Sequence, residues 1–368
     1  MSQGPRVRLA RDLLGATQKA LAAEVGVSQP TWARIEAGTV ALTPEVIGHL
    51  AARTGLADSF FTADIDIAPL GESGTMYFRE HSRLTVRERS RAASLAKLAM
   101  YALEVASSRG VRLPPLVLPA PDTIDRSDVE RAAALTREAL GLHQHEPVGH
   151  LTRKLEKAGV RVLSIPVTYD ASKVERGIDA FSDWIDGEAI AATSQHGPGD
   201  RLRMSLAHEV GHLVLHPRGG NEDTLEHEAR HFAAALLMPL EAFTMMVPPR
   251  PMTVTDLGVL KRHWRVSMAA VVMRAATVGA IDSAEKTRLF RVLGARGWRR
   301  SEPIEIPRER TALLASALRR AFGTTSAQTL ARHLHLNPSI VAGLFEQPED
   351  LGADVVDVAE ERWTARRR

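Results

Sequence analysis

The sequence predicts an α+β fold, predominantly helical, with one small sheet set between helical regions. Three observations carry that reading. Leucine and alanine dominate a chain of 368 residues in which 44% are hydrophobic but only 5% aromatic, and both residues lose little side-chain freedom in a helix. Residues 6–56 divide into short apolar-periodic segments, each with its own start and stop residue. Between Val160 and Thr193 the apolar period switches from helical to alternating, and then switches back.

The first four helices are expected at Arg6 to Leu14, Thr17 to Val25, Ser28 to Ala37 and Thr43 to Thr54. Thr17 and Ser28 are placed to cap the second and third, and Gly26 and Gly38 to end them. Thr43-Pro44 pairs an N-cap with proline at the first helical position. Leu21, Val25, Val27, Ile35, Ile47 and Leu50 recur at the spacing of a shared core. Residues 65–74, rich in Asp, Pro, Gly and Ser, read as a hinge, 79–109 as an amphipathic helix with a basic start, and Leu113 to Asp122 as a Pro-rich linker. Helices follow at Asp128 to Leu140 and Val148 to Ala158, broken at Gly141 and Pro147. Strands are expected at Val160 to Val167, Ile178 to Ile185 and Ala189 to Thr193, the last two joined at Asp186-Gly187, a pair that favours a tight hairpin turn. Leu202 to Leu215 and Thr224 to Leu237 are the next helices, the second stopped by Pro239. Helical periodicity resumes from Val254 to Leu293 and again from Thr311 through the tail.

Composition excludes whole classes of function. The chain has no cysteine, which removes disulfides, thiolate zinc knuckles, iron–sulfur clusters and cysteine nucleophiles together, so any metal must sit on His, Asp or Glu. The N-terminus lacks an apolar signal core, and the most apolar windows, 232–240 and 266–273, are too short to span a bilayer; a cytoplasmic protein without a membrane partner is expected. A net charge of +3, from 47 basic and 44 acidic residues, is not that of a bulk polyanion binder, so any DNA contact depends on local placement.

The sharpest chemical signal is His208-Glu209-Val210-Gly211-His212 within a helical segment. At about 3.6 residues per turn, His212 lies one turn along the axis from His208 and about 40° around it, so two imidazoles converge on one cation. Glu209, at the edge of that face, is placed to take a proton from an activated water without itself coordinating. Leu202, Leu206, Val210, Leu213 and Val214 give the same helix an apolar arc to bury. The bland alternative is a solvated surface helix that happens to carry these residues. A catalytic zinc needs a third protein ligand. Glu228 on the following helix is the candidate, with Glu226 and His227 as competitors that spacing alone does not separate. His216 and His231 extend the polar faces of the two helices as hydrogen-bonding candidates near the metal or the developing oxyanion.

The run MSLAHEVGHLVLH followed by EHEARHFAAALLMP resembles the ImmA/IrrE family of metallopeptidases. The resemblance covers roughly residues 128–300 and implies a gluzincin-like, zincin-type helical domain with a small sheet, acting on DNA-binding repressors. It implies Zn²⁺ as cofactor, His208 and His212 as ligands, Glu209 as general base and Glu228, in the Glu-Ala position, as third ligand. His231 is carried as a catalytic candidate beside them, as an oxyanion donor. Two departures are visible: Arg230 stands where Asn or Asp is commoner, and Met204-Ser205 replaces Phe-Thr before the motif.

The segment TQKALAAEVGVSQPTWARIEAG is similar to the helix-turn-helix of the XRE/Cro-repressor class. Two short helices joined by a glycine turn present the start of the second to the major groove. Ser28, Gln29, Thr31 and Arg34 are placed there to reach base edges or phosphates. Gln18 and the cluster Arg6, Arg8 and Arg11 are backbone-contact candidates, and Trp32 reads as packing. With six basic against five acidic residues over 1–60, electrostatic grip is weak, and a homodimer on a double-stranded operator is expected. A second helix, Asn-Pro break and helix, SAQTLARHLHLNPSIVAGLF, reads as a dimerisation or capping element, with a second DNA reader as the alternative.

The expected organisation is a helix-turn-helix domain at 1–66, a helical and Pro-rich linker at 67–127, a metallopeptidase domain at 128–300 and a helical C-terminal extension at 301–368. The expected function is a DNA-binding transcription regulator carrying a zinc metalloendopeptidase that cleaves a repressor or other regulatory protein. The rival is a non-catalytic regulator, or antitoxin-type repressor, whose peptidase-like domain senses a metal, ligand or protein.

Overall fold

A computed structural model describes residues 3–63, 85–119, 124–125, 127–165, 180–185, 187–216, 222–299 and 301–345. In chain order the elements are α1 (Gly4–Leu14), α2 (Gln18–Glu24), α3 (Gln29–Glu36), α4 (Pro44–Thr54), α5 (Asp58–Thr62), α6 (Val86–Ser108), α7 (Val129–Ala139), α8 (Leu151–Lys157), β1 (Arg161–Ile165), β2 (Ala180–Ile185) and β3 (Glu188–Ser194). There follow α9 (Gly199–Leu215), α10 (Glu222–Leu237), α11 (Leu240–Met246), α12 (Val254–Trp264), α13 (Met268–Thr277), α14 (Ser283–Ala295), α15 (Leu313–Phe322), α16 (Ala327–Leu334) and α17 (Pro338–Leu344). The fold is therefore α+β and predominantly helical, with one three-stranded sheet among the described residues. The hinge at 65–74 and the last part of the tail lie outside the described residues.

The chain divides into two compact units, Met1–Pro114 with Arg161–Gln195 and Arg310–Arg368, and Pro115–Val160 with His196–Glu309. In the first, the expected caps form: the Thr17, Ser28 and Thr43 hydroxyls accept from the backbone N–H groups of Ala20, Thr31 and Val46. Gly26 and Gly38 adopt positive φ at the ends of α2 and α3, where a side chain would be strained. Trp32, Leu21, Leu50, Phe60 and Phe61 are fully buried, the two phenylalanines coming from α5, a helix too short for periodicity to reveal. Helix α6 opens with a Thr85/Glu88 capping box. Arg87 and Arg91 donate to the carbonyls of Gly15 and Leu13 at 2.8 Å each, adding to the left-handed Gly15 backbone cap that closes α1.

The sheet has order β1-β3-β2, β1 parallel and β2 antiparallel to β3, with Ile185 paired to Glu188 so that Gly187, at φ 80°, closes the expected hairpin. Leu163, Ile165, Phe181, Ile190 and Ala192 join the same hydrophobic core as α1 and α6. So do Leu318, Leu330, Leu334, Leu336 and Val341 of the tail, and Leu336 bridges to Leu56. The α16–α17 pair thus packs into this core through one face.

In the second unit, α10 packs against both α9 and α7. Buried cations tie its helices together. Arg137 donates to the carbonyls of Leu236, His143 and Glu146, and Arg203 to the Glu309 carboxylate and the Val148 carbonyl. Arg274 donates to the Met238 carbonyl and both Glu130 oxygens. Pro239 ends α10 as expected and stands at the N-cap position of a further short helix, α11.

Candidate metal centre and helix-turn-helix face

Gly211 explains how the HExxH helix meets its partner. A Cβ at that position would lie 3.1 Å from Phe232 Cδ1 and 3.2 Å from the Ala229 Cα, so only glycine lets the two backbones approach without displacement. That crossing brings α10 side chains onto the histidine face of α9. His208 and His212 are buried at 4% and 9% exposure, and Glu209 at 3%. The whole helix from Leu206 to Leu215 is enclosed, so the motif side is covered by α10 and is not a solvent-facing stripe.

The Nε2 atoms of His208 and His212 stand 3.0 Å apart, and Glu226 Oε1 lies 3.5 Å from the first and 3.3 Å from the second. These three donors form a His-His-Glu group able to hold one cation. A tetrahedron with bonds of about 2.0 Å has edges of about 3.3 Å, so the triangle fits a metal-sized centre and leaves the fourth corner open. Burial raises the Glu226 carboxyl, but the neighbouring His208 and His212 rings outweigh it and hold the group well below the usual carboxylate range.

The carboxylate here is therefore Glu226, and Glu228, the expected third ligand, is elsewhere: its Oε2 lies 2.7 Å from His216 Nε2. The two residues are about 200° apart around a helix, so both cannot face the same point. His227 is exposed and outside the group. His216 is 2% exposed, and its Nδ1 lies 3.1 Å from His212 Nδ1. His231 does not join the histidine cluster either. Its Nε2 bonds Glu130 Oε1 of α7 at 2.8 Å, on a side of α10 about 140° from Glu226. There Glu130 is held down to about 2, burial being outweighed by hydrogen bonds from His231 and Arg274. The signal available for Glu226 was its place within the apolar stripe of Leu225, Ala229, Ala233 and Leu236, the face that α10 turns inward.

At the other end of the chain, Gln29 is the first residue of α3, exposed, and its amide donates to Gln18 Oε1 at 2.8 Å; Gln18 in turn donates to Glu36 Oε2 at 2.8 Å. Glu36, missed in the sequence, is the hub of this face, accepting also from Arg11 Nε at 2.6 Å and from the Trp32 indole at 2.7 Å. Burial would raise its carboxyl, but bonds from Arg11, Gln18 and Trp32 leave it lowered. Arg11 is thus occupied, and Arg6 is buried with its guanidinium on the carbonyls of Phe60 and Ala63, so neither is a free phosphate contact. Ser28 and Thr31 bond each other at 2.8 Å at the helix start, while Arg34 is exposed in its last turn.

Comparison with known families agrees with both regions. Residues 155–276 match the IrrE N-terminal-like domain, a peptidase family, and residues 4–59 match a helix-turn-helix domain. No curated protein matches the chain. One polypeptide thus joins a helix-turn-helix DNA-binding domain to an IrrE-like peptidase-family domain.

Proposed function

We propose that this DNA-binding regulator is also a zinc-dependent endopeptidase whose substrate is a regulatory protein such as a repressor. The supporting observation is the triangle of His208 Nε2, His212 Nε2 and Glu226 Oε1 with edges of 3.0–3.5 Å, its two histidines on the same helix as Glu209 and its carboxylate on α10. Two imidazoles and one carboxylate suit Zn²⁺, which when bound supplies Lewis acidity toward water and a peptide carbonyl. Glu209 takes the proton from the attacking water and returns it to the leaving amine. Glu226 replaces Glu228 in the proposed ligand set, and His231, engaged with Glu130, has no assigned step.

On the DNA side, Gln29 and Arg34 are the proposed base readers. Gln18 orients Gln29, and Ser28 and Thr31 fix the start of the reading helix. A homodimer on a double-stranded operator compensates for the weak local charge.

The decisive experiment incubates full-length protein, with and without chelator, with a repressor encoded by a neighbouring gene. Cleavage is expected to require zinc, to survive His49→Ala, which removes an α4 ring paired with Glu24, and to vanish in Glu209→Gln with metal still bound; cleavage unchanged in Glu209→Gln removes the assigned base. The burial of the whole motif favours a second reading, in which the domain senses metal or a protein without hydrolysing anything. That reading predicts metal-dependent DNA binding and no cleavage product in any variant.

A further inference from the structure

We infer that Glu228 and His216 form a relay that sets the tautomer and orientation of His212, making both positioning residues for the metal centre. The inference rests on the metal reading above and gives the second acidic residue of α10 a role distinct from that of Glu226.

The proton positions follow from the atoms in contact. Glu228 Oε2, as a carboxylate oxygen, only accepts, so the His216 Nε2 atom 2.7 Å away carries the hydrogen. A neutral imidazole has one N–H, which leaves His216 Nδ1 bare. His212 Nδ1, 3.1 Å from it, must then be the donor. The remaining nitrogen of His212, Nε2, therefore keeps its lone pair, and it points at the centre shared with His208 Nε2 and Glu226 Oε1. Reversing any one hydrogen would put two bare nitrogens, or two N–H groups, face to face. The sequence Glu228, His216, His212 is thus oriented in one sense, ending in an acceptor ready to bind a cation. His216 is 2% exposed and His212 9%, so water cannot readily replace a lost link. Partners of this kind raise ligand basicity and fix ring orientation, with effects of about 10–100-fold on metal affinity.

Two measurements on the full-length protein test this. Titration with Co²⁺, read by its visible absorption, is expected to give Glu228→Gln and His216→Phe an unchanged band with a dissociation constant raised about 10–100-fold, whereas Glu226→Gln loses the band. Loss of the band in Glu228→Gln makes Glu228 a ligand and overturns the relay; unchanged affinity in both variants overturns it equally. Histidine-selective ¹⁵N correlation spectra of the wild-type protein, independent of variant folding, are expected to show His212 protonated at Nδ1 and His216 at Nε2. The reverse tautomer at either ring refutes the relay. Wild-type protein that binds no Co²⁺ overturns the metal reading itself, and the metal-free tautomers then decide whether the relay stands.

Discussion

Lys261 is the most demanding single residue of the second unit. It is 1% exposed, its ammonium bridges Asp200 and Glu302, and the same Glu302 oxygen accepts from the Met268 N–H at 2.9 Å. Lys261→Met keeps the aliphatic volume but leaves two carboxylates without their cation, at a cost of about 3–5 kcal/mol. Chemical denaturation is expected to register that loss, and a change within about 0.5 kcal/mol would show the bridge to be dispensable. Glu130 gives a pH-dependent counterpart. Its carboxyl is held down to about 2 in the folded state against an ordinary 4.5, so the stabilisation is complete above pH 4.5 and is lost as pH falls toward 2. Thermal melts between pH 5 and pH 2 are expected to fall more steeply in the wild type than in Glu130→Gln.

Among the elements, the packed pair α9 and α10 decides the chemistry. Gly211→Ala forces a Cβ to 3.2 Å from the Ala229 Cα, where backbone and not a flexible side chain must yield. The expected cost is about 1–3 kcal/mol, and because the strain lies one turn from Glu226, Co²⁺ affinity should fall with stability. Stability lost at full metal affinity would show that the crossing does not set the site. The same helix pair shows why a search of polar faces passes over the ligand carboxylate. Amphipathic reasoning assumes one wet face, but Leu225, Ala229, Phe232, Ala233, Leu236 and Leu237 are all buried because α10 is packed by α9 on one side and α7 on another. These six residues fall within an arc of about 140°; Glu226 lies inside that arc and Glu228 about 40° beyond its edge, so a search of the polar face alone favours Glu228 and passes over the carboxylate turned toward the packed face.

At the scale of the whole molecule, the first unit is assembled from three separate stretches of chain. Leu313, Leu314, Leu318, Leu330, Leu334, Leu336 and Val341 of the tail are each at most 4% exposed in the core that also holds Trp32 and Phe60. At about 1.5–3 kcal/mol per buried aliphatic side chain, removing them exceeds the margin of about 5–15 kcal/mol by which domains are stable. Truncation after Arg310 is therefore expected to unfold this unit and abolish DNA binding, although residues 4–59 remain intact. Circular dichroism and gel shift with a fragment of the protein's own promoter would check it, and full DNA binding by the truncated chain would show that the reading helices stand without the tail. In the intact chain, Gln29→Ala or Arg34→Ala is expected to weaken binding to such a fragment by about 1–3 kcal/mol each.

The short helices of 6–56, their threonine, serine and glycine boundaries, the Asp-Gly hairpin and the paired histidines were determined by the sequence alone. Each depends on atoms within four residues of one another: a cap hydroxyl and the N–H three ahead, or two rings one turn apart. Which carboxylate completes the histidine pair, where His231 turns, whether Arg6 and Arg11 are free, and what the sheet and tail pack against were decided by tertiary structure. Those outcomes depend on contacts between residues far apart in the chain, such as Gly211 against Ala229 and Arg11 against Glu36. Long-range packing fixes the exact rotation of each helix, which local periodicity sets only to within an arc.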